Sequence, residues 1–208
     1  MSVIPVAEIP TISSLYRSKK LSPVAQSGVA TAKPSQTLND KIGLIRGDIT
    51  KLQVDAIVNA ANSDLAGGGG VDGAIHQAAG PELLRECYRL QGCDTGSAKI
   101  TGAYQLPCKA VIHAVGPIYW STDPEDAARL LAGCYTTSLG LAVKNNLKSI
   151  AFSSISTGIY GYPSQDAASV AIQAVKGFLE GNDGSKLEKV IFCTFAPKDV
   201  AAYNNTLP

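Results

Sequence analysis

Asp72 and His76 are the residues whose types and spacing best suit proton chemistry. They are four apart in a stretch, Val71 to Ala79, that has the pattern of a short helix, so both side chains share one helix face. Asn59 and Asn62 stand just past an apolar strand and can point into the same crevice. Together these carboxylate, imidazole and amide side chains could hydrogen-bond a ligand hydroxyl or transfer a proton. Asp72 as an N-terminal cap of the helix is the alternative interpretation.

Four consecutive glycines, Gly67 to Gly70, lead into that helix. Each glycine costs backbone entropy on folding, so the run indicates a place where bare backbone is needed. Free N–H groups and the helix dipole at such a terminus favour an anion. A second glycine-containing loop, Ser156 to Pro163, also links a strand to a helix. A nucleotide that contains a diphosphate fits a site with two such loops, a carboxylate and aromatic side chains at its rim.

The elements that must position these loops alternate along the chain. Apolar runs predict strands at residues 41–46, 54–58, 110–115, 149–153 and 190–195. Helical patterns lie between them, at residues 71–79, 81–90, 125–145 and 163–180. This alternation predicts an α/β fold, a three-layer α/β/α sandwich with a largely parallel sheet. Ligands bind beyond the carboxyl ends of such strands, so we expect both loops to meet at one crevice.

Composition excludes several classes of protein. At 45% hydrophobic residues and a net charge of +1, we expect a soluble protein without bulk nucleic-acid binding. The absence of an 18-residue apolar run predicts no membrane partner. Five cysteines, odd in number and without a CxxC pair, predict reduced thiols in an intracellular protein. Two histidines and scattered cysteines do not predict a zinc site.

Residues 1–40 differ in composition from the rest of the chain. They are rich in Ser, Pro, Thr and Ala and contain few acids. We predict an N-terminal extension over residues 1–40, a loosely ordered arm laid on a domain over residues 41–208. A transit peptide is a second interpretation, because such segments are basic and acid-poor. We therefore expect a cytoplasmic or nuclear protein, with the mitochondrion as the alternative.

Two known nucleotide-binding motifs do not fit the sequence. Gly68 to Gly73 formally matches GxGxxG, but its first glycine does not directly follow the strand and no acid ends a second strand, so a dehydrogenase is disfavoured. The chain has no GxxxxGK[ST] motif of a P-loop NTPase.

His113 lies in a buried strand and is predicted to be a core histidine with a satisfied partner. Asp48 follows a strand in a turn, where it either caps the turn locally or accepts from a ligand amino group.

Six motifs of the chain resemble, in their order along the sequence, those of macrodomains of the MacroD type. They are GDIT at residues 47–50, VNAAN at 58–62, GGGVDGAIH at 68–76, TG at 101–102, HAVGP at 113–117 and ISTGIYGYP at 155–163. The resemblance covers about residues 41–207. It implies a mixed, largely parallel sheet, an ADP-ribose ligand without cofactor or metal, and removal of mono-ADP-ribose from acidic side chains of proteins. O-acetyl-ADP-ribose is a second implied substrate, and ADP-ribosylated nucleic-acid ends are a further candidate. We expect a monomer.

The resemblance also implies roles by position. Asn62, Asp72 and His76 would be catalytic, with Asp72 positioning or activating a water near the anomeric carbon. Asp48 would accept from the adenine amino group beside the Ile49 backbone, and Asn59 would help Asn62 to hold the distal ribose. The implied diphosphate contacts are Gly69, Gly70, Val71, Gly73, Ser156, Thr157, Gly158, Ile159 and Gly161. Tyr160 would stack against the distal ribose.

Two questions stay open at this point. An ordinary aspartate has a pKa of ~3.9 and is a poor base at neutral pH. Either burial perturbs Asp72, or Asp72 orients a water while a substrate phosphate takes the proton. A non-catalytic reader of ADP-ribosylated proteins and a phosphatase for ADP-ribose 1″-phosphate are alternative functions. Asn62, Asp72 and His76 together favour the hydrolase, because a reader needs only the diphosphate and adenine contacts.

Overall fold

The computed structural model describes residues 2–21 and 35–207. Its strands are β1 (Ile4–Pro5), β2 (Ile42–Arg46), β3 (Leu52–Gln53), β4 (Ala56–Ala60), β5 (Ala98–Gly102), β6 (Ala110–Ala114), β7 (Ser149–Phe152) and β8 (Lys189–Thr194). Its α-helices are α1 (Ile12–Arg17), α2 (Gln36–Lys41), α3 (Gly70–Ala79), α4 (Pro81–Arg89), α5 (Pro124–Lys144), α6 (Ser164–Glu180) and α7 (Pro197–Thr206). Short 3₁₀ helices lie at Val6–Glu8, Ile49–Lys51, Tyr119–Ser121 and Gly184–Lys186.

The main sheet has the strand order β2-β8-β7-β4-β6-β5. Its neighbouring strands are parallel except for β5 and β6, which are antiparallel. This confirms the predicted mixed, largely parallel sheet. β4 lies between β6 and β7, so the segments that follow these three parallel strands share one edge of the sheet. The two glycine-containing loops follow β4 and β7, and they meet at that edge as predicted.

Helices cover both faces of the sheet. Val58 of β4 packs in the apolar layer that contains Val175 of α6, whereas the adjacent Ile57 packs in the layer that contains Ile75 of α3. Successive side chains of a strand point to opposite faces, and a strand covered on both faces is apolar throughout. The predicted three-layer α/β/α sandwich is therefore confirmed.

The N-terminal arm differs from the prediction of loose order over residues 2–21. Ile9 and Ile12 are 2% and 0% exposed and belong to the two core layers. Lys189 donates through Nζ to the backbone oxygen of Ile9. Burial of these isoleucines stabilises an ordered path that composition alone does not reveal. Residues 22–34 lie outside the described residues, and the domain boundary at residue 40 stays a prediction.

The cysteines are reduced, as predicted. All five are buried and free of disulfide bonds. Burial removes the hydration of a thiolate, which raises the pKa of Cys87 and Cys108 to about 11 and of Cys134 and Cys193 to about 12. These four thiols are therefore protonated at neutral pH. Over residues 2–21 and 35–207, no helix is long and apolar enough to cross a membrane.

Candidate active site

An open cleft lies at the carboxyl edge of the sheet, between the loops that follow β4 and β7. Its walls are formed by residues 60–62, 68–72, 154–156 and 158–160, together with Gly116. Gly116 follows β6, so the three adjacent parallel strands each contribute to the walls. The cleft therefore occupies the place where the sequence predicts the crevice.

The first glycine loop is held in shape by Asn62. Its Nδ2 donates to the Gly67 backbone oxygen at 2.8 Å, and its Oδ1 accepts from the Ala66 N–H at 3.2 Å. The N-cap residue of α3 is Gly69, which has no side chain to accept from the N–H groups of the first turn. Those N–H groups belong to a helix N-terminus whose residues line the cleft, an arrangement that favours an anion.

Asp72 is the third residue of α3, so the interpretation of Asp72 as the N-cap is wrong. It is only 4% exposed yet contributes to the cleft wall. Its Oδ1 accepts from Asn59 Nδ2 at 2.7 Å and lies 3.5 Å from His76 Nε2. Burial raises the pKa of Asp72 above its ordinary 3.8, and the Asn59 hydrogen bond and His76 oppose that rise only in part.

Asn59 lies beneath the cleft rather than on its wall. It is 0% exposed, and its Nδ2 is 3.2 Å from His113 Nδ1 as well as 2.7 Å from Asp72. His113 is also fully buried, and its Nε2 lies 2.9 Å from Thr101 Oγ1. His113 is thus the satisfied core histidine that the sequence predicts. Burial, with a smaller effect of His76, lowers the pKa of His113 to about 3, so the imidazole is neutral.

His76 lies behind Asp72 on α3. Its ring packs against the backbone at Gly67, where a Cβ would stand 3.5 Å from the ring. Its Nε2 is buried, with no hydrogen-bond partner in the part of the chain that the structure describes. His76 therefore contacts the predicted catalytic carboxylate rather than the open cleft.

Three side chains near Asp72 have the donor types of a metal site. One ligand atom each of His76, Cys87 and His113 lies within 4.8 Å of the others. His113 Nε2 is already engaged by Thr101, however, and the protonated Cys87 thiol lies 3.7 Å from the same nitrogen. We interpret His113 and Cys87 as part of the packed core, because a metal would have to replace the hydrogen bonds that His113 already makes.

The second loop, which forms part of the cleft wall, carries two buried polar atoms without a partner in the described parts of the chain. Ser154 Oγ and Ser156 Oγ are buried and have no hydrogen-bond partner within residues 2–21 and 35–207. Ser156 has a φ of 65°, a left-handed conformation that is strained for a residue with a side chain. A Cβ on Gly116 would collide with Ser156 Oγ, so only glycine permits this close approach. Buried hydroxyls without partners are a place where a ligand can bind.

The C-terminal helix α7 supports that loop. Asp199 is 5% exposed and accepts from Thr157 Oγ1 at 3.2 Å and from Ser164 Oγ at 2.7 Å. Lys198 Nζ donates to the Thr157 backbone oxygen. Ile159, at the tip of the loop, is 84% exposed and approaches within 4.0 Å of a Cβ position on Gly69. The two loops thus approach one another across the cleft.

The expected adenine contacts lie outside the cleft walls. Asp48 accepts through Oδ1 from Thr50 N at 2.9 Å and from Thr50 Oγ1 at 2.7 Å, which is the local capping that sequence allows. Ile49 is buried in the 3₁₀ helix that Asp48 caps. A second, shallow hollow is lined by Arg46, Gly47 and residues 195–197.

Phe195, which lines that hollow, is a candidate contact that the sequence did not predict. The residue is 75% exposed and directly follows β8, beside the end of β2. The sequence predicts a strand that ends at Phe195, whereas β8 ends at Thr194. An aromatic residue at the carboxyl end of a parallel strand is the signal that could have identified it.

The structure separates the predicted site residues into two groups. Those that line the cleft are Asn62, Gly69, Gly70, Val71, Asp72, Ser156, Gly158, Ile159 and Tyr160. Those that stand behind or beside the walls are Asp48, Ile49, Asn59, Gly73, His76, Thr157 and Gly161. Gly116 and Ser154 line the cleft although sequence reasoning did not select them. Tyr160 is half-buried, and burial raises its pKa, with Asp72 adding to the rise.

Comparison with known proteins places this arrangement in context. A family model described as Macro domain matches residues 58–171. The ADP-ribose glycohydrolase MACROD2 of Xenopus laevis is 50% identical over 200 residues, which cover 96% of this chain and 47% of the relative. The macro domain-containing protein CT2219 of Chlorobaculum tepidum is 55% identical over 169 residues, which cover 81% of this chain and 96% of the relative.

A solved structure resembles the chain over its whole length. The Trypanosoma brucei macrodomain in complex with ADP-ribose has a TM-score of 0.83 and 38% sequence identity, covering 100% of this chain and 78% of that chain. The present chain spans about half the length of several curated relatives, 54% in the case of the Bos taurus ADP-ribose glycohydrolase MACROD1.

Proposed function

The chain belongs to the Macro domain family, and from this premise we propose that it binds ADP-ribose and hydrolyses the ester that joins mono-ADP-ribose to a Glu or Asp side chain of a modified protein. O-acetyl-ADP-ribose, which also carries an ester on ADP-ribose, is a second substrate of the proposal. The ADP-ribose glycohydrolase names of the relatives and the ADP-ribose complex of the trypanosomal macrodomain support this choice.

The two loops suit the diphosphate. The first turn of α3 presents N–H groups without a capping side chain, and the facing loop presents the hydroxyls of Ser154 and Ser156. Anionic oxygens accept from both kinds of donor. The adenine would lie toward the Asp48 turn and the exposed ring of Phe195, and the distal ribose toward Asn62 and Tyr160.

The observation that carries the catalytic part is the position of Asp72. Its carboxylate is buried in the cleft wall, one oxygen is held by Asn59, and Oδ2 lies 3.2 Å from a Cβ position on Gly68 in the adjacent loop. Burial raises the pKa of Asp72, which makes the carboxylate a stronger base than an exposed aspartate. A pure reader of ADP-ribose has no need of such a group.

In the proposed reaction a water attacks the anomeric carbon, C1″. The water oxygen forms the new bond to C1″ while the bond between C1″ and the ester oxygen breaks and the protein carboxylate leaves with the electron pair. Asp72 orients the water and accepts its proton, directly or shared with a substrate phosphate. The loop donors stabilise the negative charge of the diphosphate throughout, in a site that is organised before the reaction.

The test is release of ADP-ribose from a protein mono-ADP-ribosylated on Glu, with ADP-ribose calorimetry in parallel. We expect Asp72→Ala to bind ADP-ribose and to lose turnover by about 10²-fold to 10⁴-fold, the range for a general base. Asp126→Asn, an exposed acid in the first turn of α5, is the matched control. In ¹⁸O-labelled water, attack at C1″ leaves the released glutamate unlabelled, whereas attack at the ester carbonyl puts the label into it.

Other outcomes would identify a different function. If wild type binds ADP-ribose and releases none from the modified protein, the chain is a reader and the hydrolase proposal is wrong. Phosphate release from ADP-ribose 1″-phosphate, without ester cleavage, would instead identify a phosphatase. Full turnover by Asp72→Ala would remove Asp72 from the mechanism.

A further inference from the structure

A buried chain of hydrogen bonds runs from Asp72 into the sheet, and its donors and acceptors can be assigned. An ionised carboxylate only accepts, so Asn59 must present its NH₂ group to Asp72. The other N–H of that group faces His113 Nδ1 at 3.2 Å, which must therefore be the unprotonated nitrogen. A neutral imidazole then carries its proton on Nε2, which donates to Thr101 Oγ1 at 2.9 Å.

The far end of the chain is closed by the backbone. Thr101 Oγ1 lies 3.1 Å from the Gly102 oxygen and 3.4 Å from the Val111 oxygen, either of which accepts its proton. Asn59 and His113 are both 0% exposed, so the part of the network behind Asp72 lies out of contact with bulk water. With Asp72 ionised, this assignment gives each nitrogen of Asn59 and His113 a partner, whereas Asn59 Oδ1 has none among the described residues.

We propose that His113 is a positioning residue for Asp72 and that it acts through Asn59. This inference rests on the hydrolysis proposed above. The Nε2–H tautomer accepts from Asn59 and so keeps the amide nitrogen turned toward the carboxylate. A proton on Nδ1 would oppose the Asn59 donor and favour the flipped amide. The Asn59 oxygen would then face Asp72, an arrangement that only a protonated Asp72 can satisfy.

Four titratable groups face Asp72 from the surrounding elements. They are His76 on its own helix, Cys87 on α4, Tyr160 on the second loop and, through Asn59, His113 on β6. Burial raises the pKa of Cys87 to about 11 and that of Tyr160 above 10.0, and it lowers that of His113 to about 3. Cys87, Tyr160 and His113 are therefore neutral near pH 7, and none of them supplies a positive charge that would offset the loss of the Asn59 donor.

The tautomer can be read directly from the intact protein. The chain has only two histidines, so long-range ¹H–¹⁵N spectra of the imidazoles are simple, and a His76→Gln variant assigns them. We expect His113 to be the neutral Nε2–H tautomer at neutral pH. A charged ring, or a proton on Nδ1, would overturn the proposal whether or not the protein is an enzyme.

Two substitutions at His113 separate positioning from packing. His113→Leu introduces an apolar side chain of similar size and removes the acceptor for Asn59. His113→Asn instead keeps an acceptor, its side-chain oxygen, near the position of Nδ1. In His113→Leu we expect turnover to fall by about tenfold to hundredfold, the scale of a misplaced catalytic group, with ADP-ribose affinity within twofold of wild type. The acidic limb of the turnover profile should move to higher pH, because the Asn59 donor holds the pKa of Asp72 down. His113→Asn should recover most of the turnover.

A carboxyl titration followed by ¹³C NMR makes the test independent of activity. The Asp72 signal, identified with Asp72→Asn, should titrate at higher pH in His113→Leu than in wild type. If wild type releases no ADP-ribose, the proposed function fails but this titration still decides the role of His113. If His113→Leu does not fold, Thr101→Val removes the acceptor of Nε2–H without changing side-chain size and should shift Asp72 in the same direction. An unmoved Asp72 titration in a folded variant overturns the proposal.

Discussion

Asn59 and Asp72 are 13 residues apart in the chain, and their side chains meet beneath the cleft with Asn59 Nδ2 at 2.7 Å from Asp72 Oδ1. The bond gives the carboxylate one strong donor in a place where it is only 4% exposed. Burial still outweighs that donor, so the pKa of Asp72 is raised above 3.8. The carboxylate of Asp72 is thus costly to ionise, at the position where the proposed reaction uses a base.

The buried charge predicts a pH dependence of stability. Because the pKa of Asp72 is higher in the folded than in the unfolded chain, its favourable contribution is complete below 3.8 and is lost as the pH rises through the folded pKa. Asp72→Asn cannot ionise and can still accept from Asn59. We therefore expect it to be more stable than wild type to urea at neutral pH, by about 1.4 kcal/mol per unit of pKa shift.

The control for this prediction is the same comparison in acid. Below pH 3.8 wild type is protonated at Asp72, so the two proteins should unfold at the same urea concentration. Asp126→Asn changes an exposed carboxylate and should not reproduce the gain. A stability difference that does not change with pH would show that packing, and not the charge, separates the proteins.

Gly73 tests the shape of the first loop. It does not line the cleft, but a Cβ there would collide with the Gly68 backbone oxygen. We expect Gly73→Ala to push the glycine loop outward and to weaken ADP-ribose binding by about tenfold, measured by calorimetry. Gly177→Ala on α6, where a Cβ meets nothing within 4 Å, is the control and should bind as wild type. Equal affinity in both variants would contradict the packing role.

Much of this architecture is predictable from sequence because local patterns and tertiary packing agree. The apolar run that ends at Val58 must be covered on both faces, and a parallel sheet with helices on each side provides that cover. The spacing of Asp72 and His76 correctly predicts a shared helix face. The place of Asn59 was not predictable, because it depends on the pairing of β4 with β6, which sets Asn59 opposite His113.

Ser156 links backbone strain to binding. Its φ of 65° is unfavourable for serine, and its buried Oγ has no partner among the described residues. We expect Ser156→Gly to raise the free energy of unfolding by about 0.5–1 kcal/mol. It should weaken ADP-ribose binding by roughly threefold to tenfold, because one hydroxyl donor is lost.

The matched control for Ser156→Gly is Gln91→Gly. Gln91 has a φ of 55°, lies outside the cleft and is exposed. It should gain stability without a change in ADP-ribose affinity. If Ser156→Gly binds as tightly as wild type, the Ser156 hydroxyl does not contact the ligand.

Phe195 is the residue on which we expect the adenine of the proposed ligand to stack. Its ring is 75% exposed, so its removal should not change stability. Stacking of a base on an aromatic ring contributes about 1–3 kcal/mol, so Phe195→Ala should weaken ADP-ribose binding by about tenfold or more. Tyr88→Ala, which removes a 63% exposed ring on α4, is the control. A ligand that lacks the adenine ring should bind both variants equally. If Phe195→Ala lost affinity for that ligand, Phe195 would not be the residue that stacks on the adenine.

The N-terminal arm gives the sharpest contrast between composition and structure. Ile12 is 0% exposed and packs in the core layer of α5 and α6, although its segment has the composition of a loose arm. We expect Ile12→Ala to lower the free energy of unfolding by about 2–5 kcal/mol, the cost of truncating a large buried side chain. Val3→Ala, at a position that is 47% exposed, should change it by less than about 0.5 kcal/mol. Urea unfolding measures both, and an Ile12→Ala cost as small as that of Val3→Ala would mean that the arm is loosely ordered in solution and contributes nothing to the core.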